Sequence, residues 1–227
     1  LNVAALWTQH EEFGAEATIA LTPVDDPSRY GVVDRAADGR VRAFIEKPAP
    51  GQAPSNWINA GTYVLEPNFV DRIEPNRRVS IERDVFPVAA AAGTLYAVPS
   101  NAYWIDAGTP EAFIQAHLDL LDGVRTGGAV SGVDPTAEID GSATVHRSWV
   151  GPGVTVAADA EVTDAVVMAT ASIGAGARVT RSIVGGGAVV EPGAVVTDLS
   201  VVGFDATVPA HQIVSGSTVP LPEEWNV

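Results

Sequence analysis

The stretch Ile173-Gly-Ala-Gly-Ala-Arg-Val-Thr-Arg-Ser-Ile-Val-Gly-Gly-Gly-Ala-Val-Val190 decides how the C-terminal part of the chain folds. Its β-branched aliphatic residues Ile173, Val179, Val184 and Val190 stand at steps of six, five and six. The same steps run from Ile139 to Val201, so the pattern returns every 17 residues. Sorted on that period, the positions form three columns: Ile139, Val156, Ile173, Val190; Val145, Val162, Val179, Val196; and Val150, Val167, Val184, Val201. Amphipathic helices repeat at steps of three and four and do not give this spacing. A three-sided coil of short strands does. Each side sends one Val or Ile to the axis, and Gly and small residues turn the corners. Stacked coils then bury aliphatic ladders that one coil alone could not bury.

Upstream of this repeat the composition changes. The segment Asp122–Gly132 carries four glycines in eleven residues, which neither a helix nor a strand holds cheaply, and it reads as a linker over 123–132. The spacing therefore predicts one domain over 1–122 and a solenoid domain over 133–227. Most of the aromatic residues precede the linker, in alternating strand and helix patterns that predict a mixed α/β sheet. Asn2 caps a helix reaching His10–Phe13, which Gly14 ends. Strands are expected over 17–24, 30–33 and 40–46, the last two joined at Asp38-Gly39, and over 59–65, 96–98 and 103–106. A short helix is expected near 68–73, and Ser80 caps another that runs into Ala92 and is bent at Pro87. Thr109-Pro-Glu111 opens a helix whose inner face reads as Phe113, Ala116, His117, Leu120 and Leu121.

The 227 residues carry 13 Lys and Arg against 28 Asp and Glu, a formal charge of −15. A polyanion of that charge is repelled by phosphate backbones and acidic membranes, which argues against nucleic acid and membrane partners. The chain has no cysteine, so a disulfide framework, a thiolate metal site and a thiol nucleophile are all excluded. The longest uncharged stretch, Val85–Ile105, is interrupted by Pro87, Gly93, Pro99, Ser100 and Asn101 and does not read as a membrane span.

Five ordered segments carry a likeness: Tyr30-Gly-Val-Val33, Phe44-Ile-Glu-Lys-Pro48, Asn59-Ala-Gly-Thr-Tyr63, Ser80-Ile-Glu-Arg-Asp-Val-Phe-Pro87 and Tyr103-Trp-Ile-Asp-Ala-Gly-Thr-Pro110. In these the chain resembles sugar-1-phosphate nucleotidyltransferases, most of all mannose-1-phosphate guanylyltransferases. Those enzymes make GDP-mannose and pyrophosphate from GTP and mannose 1-phosphate. The second half resembles the hexapeptide-repeat family, which implies a left-handed parallel β-helix. The resemblance makes Lys47 the group that grips the sugar phosphate and Asp106 a ligand of Mg2+. It gives Glu46 and Asn59 to the sugar hydroxyls. Gly31 and Gly61 are expected to let ligand approach the backbone. Lys47 precedes Pro48 and is expected to be extended at a strand end. Ser80 reads as a helix cap before it reads as a site residue, and Trp104 as packing.

The resemblance also implies a Gly-rich phosphate loop with Arg and Lys and an upstream Gly-Asp pair, and neither is found here. With Leu1 in place of an initiator Met, the expectation is a piece of a longer protein that is inactive alone. A cytoplasmic location and self-association through the β-helix are further expectations, with Pro220-Leu-Pro222 and Trp225 placed to cover the open end. A hexapeptide-repeat acyltransferase is the rival reading. Its general base would be His146, which points outward, or His211, which is expected beyond the last regular coil. A purely structural solenoid is compatible with either.

Overall fold

The computed structural model describes residues 1–221, so Pro222 and Trp225 lie outside the described residues. The chain divides into two compact units, 1–104 and 105–227.

In the first unit, helix α1 (Val3–Phe13) starts where Asn2 Oδ1 accepts from the Ala5 N–H at 3.1 Å. It stops at Gly14, whose left-handed φ of 58° carries its N–H back to Glu11 O. Strands β1 (Ala17–Pro23), β2 (Gly31–Arg35), β3 (Val41–Glu46) and β4 (Trp57–Leu65) follow. After them come a short helix α2 (Pro67–Val70), helix α3 (Phe86–Ala92) and strand β5 (Leu95–Pro99). The strands form one sheet in the order β3-β2-β4-β1-β5. Strand β1 is parallel to β5 and antiparallel to β4. Its residues 17–22 are all buried, Thr18 and Thr22 among them, so both faces of the strand are covered. Ile19 and Leu21 join Phe86, Ala89 and Ala90 of α3 in one core, and Ala20 packs with Leu6 of α1 in another.

Two details depart from the sequence reading. The helix expected from Ser80 to Ala92 is a π-helical turn over Ile81–Val85 followed by α3. Pro87 has no N–H to continue an α ladder, and the Phe86 N–H reaches Ile81 O instead. Residues 103–106 form no strand; the Trp104 indole N–H donates to Ala60 O at 3.0 Å and ties this segment to β4.

The second unit begins ahead of the Gly-rich segment and contains helix α4 (Pro110–Leu121), capped by Thr109 Oγ1, which accepts from the Ala112 N–H. Beyond it, short strands from Glu138–Ile139 to Thr218–Val219 form three parallel sheets of five strands each, a parallel β-solenoid. Val145, Val162 and Val179 stack in register, as do Val156, Ile173 and Val190, and Val150, Val167 and Val184. All but the half-buried Val145 of these nine are buried in one aliphatic core.

The third column then slips by one residue. Val184 pairs with Val202, and Val202, not Val201, points to the axis. The corner Thr197-Asp-Leu-Ser200 holds one residue more than Thr180-Arg-Ser182, and both Asp198 and Leu199 take positive φ (56° and 64°) to fit it. That coil has 18 residues from Val190 to Val208, and the next returns to 17 from Val202 to Val219. The solenoid thus continues past Val201, and His211 sits inside its last coil. Displaced outward, Val201 joins the cluster in which Ile114, Leu118 and Leu121 of α4 pack on Val166 and Ile183. The buried face of α4 is therefore 114/118/121, with Ala116, His117 and Leu120 only half-buried. Arg147 ties the end of α4 to the solenoid by pairing with both Asp122 and Asp164. No helix among the described residues is long and apolar enough to cross a membrane.

Candidate sugar-phosphate site

Strands β2 and β3 pair so that Gly31 lies opposite Glu46. A Cβ on Gly31 would stand 2.5 Å from Phe44 Cζ and 3.1 Å from Glu46 Oε2. The space that Gly31 leaves is thus filled by Phe44 and by the Glu46 carboxylate, not held open beside the backbone. Glu46 is 13% exposed, and its Oε2 is buried with no hydrogen-bond partner among the described residues. Burial pushes the Glu46 carboxyl above its ordinary range, and the charge of Glu82 adds to the rise; Lys47 and Arg83 oppose it.

Lys47 follows at once, exposed, with Nζ 3.8 Å from Glu46 Oε1. Its backbone is not extended: φ is 49°, in the left-handed region. Such a conformation costs an L-residue about 1–2 kcal/mol. The Lys47 N–H donates to Tyr30 O at 3.0 Å, which closes the β2–β3 ladder and holds the residue there. The ladder bond outweighs the extended preference that Pro48 imposes on its neighbour.

Asn59 opens a bulge in β4. Ile19 faces Tyr63 and Leu21 faces Asn59, so residues 60–62 stand opposite Ala20 alone. Asn59 is 7% exposed. Its Nδ2 donates to Tyr63 Oη at 2.8 Å and to Glu82 Oε1 at 2.9 Å, and its Oδ1 accepts from the Gly61 N–H at 2.9 Å. Gly61 needs its φ of 75°; nothing lies within 4 Å of the position a Cβ would take, so the backbone angle and not space requires glycine. Burial, with the charges of Glu82 and Glu46 behind it, raises the Tyr63 hydroxyl, which stays a neutral donor at neutral pH.

The first unit thus brings together Gly31, Glu46, Lys47, Asn59 and Gly61, and adds Glu82 and Tyr63, which sequence reasoning did not select. Their only signal was membership of the Ser-Ile-Glu and Asn-Ala-Gly-Thr-Tyr segments. Trp104 packs edge-on to Tyr30 at 5.8 Å, in a packing role. Asp106 falls in the second unit, exposed, with Oδ1 accepting from the Gly108 N–H at 3.1 Å just ahead of the α4 cap. Among the described residues no group of three or more His, Cys, Asp and Glu is arranged to hold a metal. Asp106 has the hard oxygen that Mg2+ prefers, but one carboxylate is not a site.

A profile described as nucleotidyl transferase matches residues 2–123, more than half of the chain. The chain belongs to the nucleotidyl transferase family. A second profile, the GMPPB C-terminal domain, matches residues 128–224 of this nucleotidyl transferase. It is 37% identical over 167 residues to a mannose-1-phosphate guanylyltransferase of Mycobacterium tuberculosis, a match covering 67% of the chain and 46% of that protein. Over 165 residues it is 39% identical to a probable mannose-1-phosphate guanylyltransferase 3 of Oryza sativa subsp. japonica, covering 69% of the chain and 45% of that protein. A mannose-1-phosphate guanylyltransferase catalytic subunit beta of Drosophila pseudoobscura pseudoobscura is 41% identical over 141 residues, covering 57% and 37%. The chain spans less than half the length of these curated relatives. Nucleotidyl transferases of this kind generally use a divalent metal.

Proposed function

We propose that this chain carries the sugar-phosphate side of a mannose-1-phosphate guanylyltransferase, which joins mannose 1-phosphate to GTP and releases pyrophosphate. The observation that carries the reading is the buried, unpartnered Oε2 of Glu46 beside the exposed ammonium of Lys47. A carboxylate oxygen left without a donor suits a sugar hydroxyl, and the neighbouring cation suits the phosphate on the same ligand. The reaction brings two phosphates together, and each charge pair at 4 Å opposes it by about 4 kcal/mol at an effective dielectric of 20. Lys47 would offset part of that repulsion.

In this reading Glu46 and Asn59 hold the hexose, Gly31 and Gly61 shape the backbone around it, and Lys47 holds its phosphate. Asp106 would be one ligand of Mg2+, which supplies charge neutralisation at the reacting phosphates, with further ligands that the described residues do not provide. Another sugar-1-phosphate nucleotidyltransferase is the alternative within the family. A cytoplasmic location accords with this chemistry. So does self-association through the solenoid, where the strands of the last coil end the three sheets and Ile213 and Phe204 are exposed.

The test is a calorimetric titration of mannose 1-phosphate into the full chain, with inorganic phosphate and glucose 1-phosphate as comparisons. Saturable binding of mannose 1-phosphate that Lys47→Ala weakens about tenfold is expected, a loss of about 1.4 kcal/mol. Equal affinity in the variant would remove Lys47 from the site, and stronger binding of glucose 1-phosphate would favour the alternative.

A further inference from the structure

The amide of Asn59 is held from both ends. The Gly61 N–H fixes its Oδ1, and the Glu82 carboxylate and Tyr63 hydroxyl take both of its Nδ2 hydrogens. Both Nδ2 donors are thereby spent inside the protein, and one lone pair on Oδ1 is what Asn59 keeps for a ligand. Glu46 offers the unpartnered Oε2, and a carboxylate donates nothing. Tyr63 accepts from Asn59 and keeps its own O–H, while Glu46 Oε2 and Asn59 Oδ1 present acceptors, the complement of a polyol that brings its own hydroxyl hydrogens. Glu82 reaches Asn59 from the π-helical turn Ile81–Val85, an irregularity that recurs at functional sites.

We propose that Glu82 is the positioning residue of the hexose pocket: through its bond to Asn59 Nδ2 it locks the amide with Oδ1 turned to Gly61, and so makes the pocket select hydroxyl donors. This rests on the sugar-phosphate reading of the same site. Glu82 acts through Asn59 and does not itself contact the reacting phosphates. Without it, one Nδ2 hydrogen loses its acceptor and the amide is free to turn its NH2 group toward the ligand, where it would meet hydroxyls as a second donor instead of an acceptor.

The test compares Glu82→Gln, Glu82→Ala and the parent chain by calorimetric titration with mannose 1-phosphate and with inorganic phosphate at several pH values. Glutamine keeps a carbonyl acceptor for Asn59 Nδ2. Glu82→Gln is therefore expected to bind mannose 1-phosphate within about threefold of the parent, and Glu82→Ala about tenfold more weakly. Binding of inorganic phosphate should be the same in all three. The titratable and charged groups facing Glu46 are Glu82, Lys47, Arg83 and the neutral Tyr63 hydroxyl, and removing the Glu82 charge lets Glu46 ionise at lower pH. The acid limit of mannose 1-phosphate binding in Glu82→Gln should accordingly move to lower pH, a readout that loss of packing would not give. Equal affinity in Glu82→Ala, or equal weakening for inorganic phosphate and mannose 1-phosphate, would overturn the proposal and leave the sugar-phosphate reading standing. No binding of mannose 1-phosphate by the parent chain would remove that reading, and the role of Glu82 with it.

Discussion

At Glu46 a carboxylate is buried over Gly31 with one oxygen unpaired among the described residues, a group that costs the fold stability. The sign of its pH dependence follows from the direction of its shift. Because burial and Glu82 raise the folded-state value, the folded chain binds this proton more tightly than the unfolded chain does. Stability therefore falls as pH rises from the ordinary glutamate range through the raised value, and it stays lower above it. Glu46→Gln, which removes the charge that burial and Glu82 disfavour, should be more stable than the parent at neutral pH. The same variant should bind mannose 1-phosphate at least tenfold more weakly. Urea unfolding between pH 4 and pH 8, paired with calorimetry, checks both; a variant less stable than the parent would mean that the carboxylate is satisfied in solution. Glu46, Lys47, Asn59 and Gly61 were legible as a group because each stands in a short motif with its neighbours. The left-handed φ of Lys47 was not legible, since a side-chain pattern says nothing of a backbone angle set by a bond to Tyr30 across the ladder. The bond between Glu82 and Asn59 was not legible either, because the two are 23 residues apart and only the folded β4 bulge brings them together.

The corner column two residues ahead of Val150, Val167, Val184 and Val202 reads Ser148, Ala165, Ser182 and Ser200, all buried. These serines are not equivalent. Ser148 Oγ donates to His146 O and accepts from the Ala165 N–H, whereas Ser182 Oγ donates to Thr180 O and accepts from no N–H among the described residues. Removing the first hydroxyl strands a buried N–H; removing the second leaves only an under-satisfied carbonyl, which proteins tolerate better. Ser148→Ala is expected to cost about 1–3 kcal/mol and Ser182→Ala less than about 1 kcal/mol, measured by chemical denaturation. Equal costs would show that the interlocking coil-to-coil bond contributes nothing. The element itself was readable because every coil restates the same aliphatic spacing. The extra residue at Leu199 was not, since Val201 and Val202 are both valines and either satisfies an aliphatic column by eye. Only the pairing of Val184 with Val202 tells them apart. The face of α4 was misjudged for a related reason: Ile114 and Leu118 sit one position from Phe113 and His117, and the helix period leaves that rotation open until Val166 and Ile183 fix it.

Across the molecule, two cores of different kinds are built from one chain. The first unit packs Phe69, Phe86, Leu95 and other large side chains between a five-stranded sheet and its helices. The second has an axis of Val, Ile and Ala in which successive coils bury each other. Repeat architectures of this kind gain stability from each added neighbour interface, and their pairs are local in sequence, here 17 or 18 residues apart. A core of its own is what lets a unit unfold as a unit. Calorimetric melting of the full chain should therefore resolve two transitions, the solenoid being the higher. Phe86→Ala, which empties a fully buried site in the first core, should lower the first transition at a cost of about 3–5 kcal/mol and leave the second in place. Val179→Ala, buried on the solenoid axis, should do the reverse at a smaller cost, because fewer carbon atoms are removed. A single transition shifted by both substitutions would mean that the sheet and the solenoid unfold together, and that the two cores count as one in energetic terms.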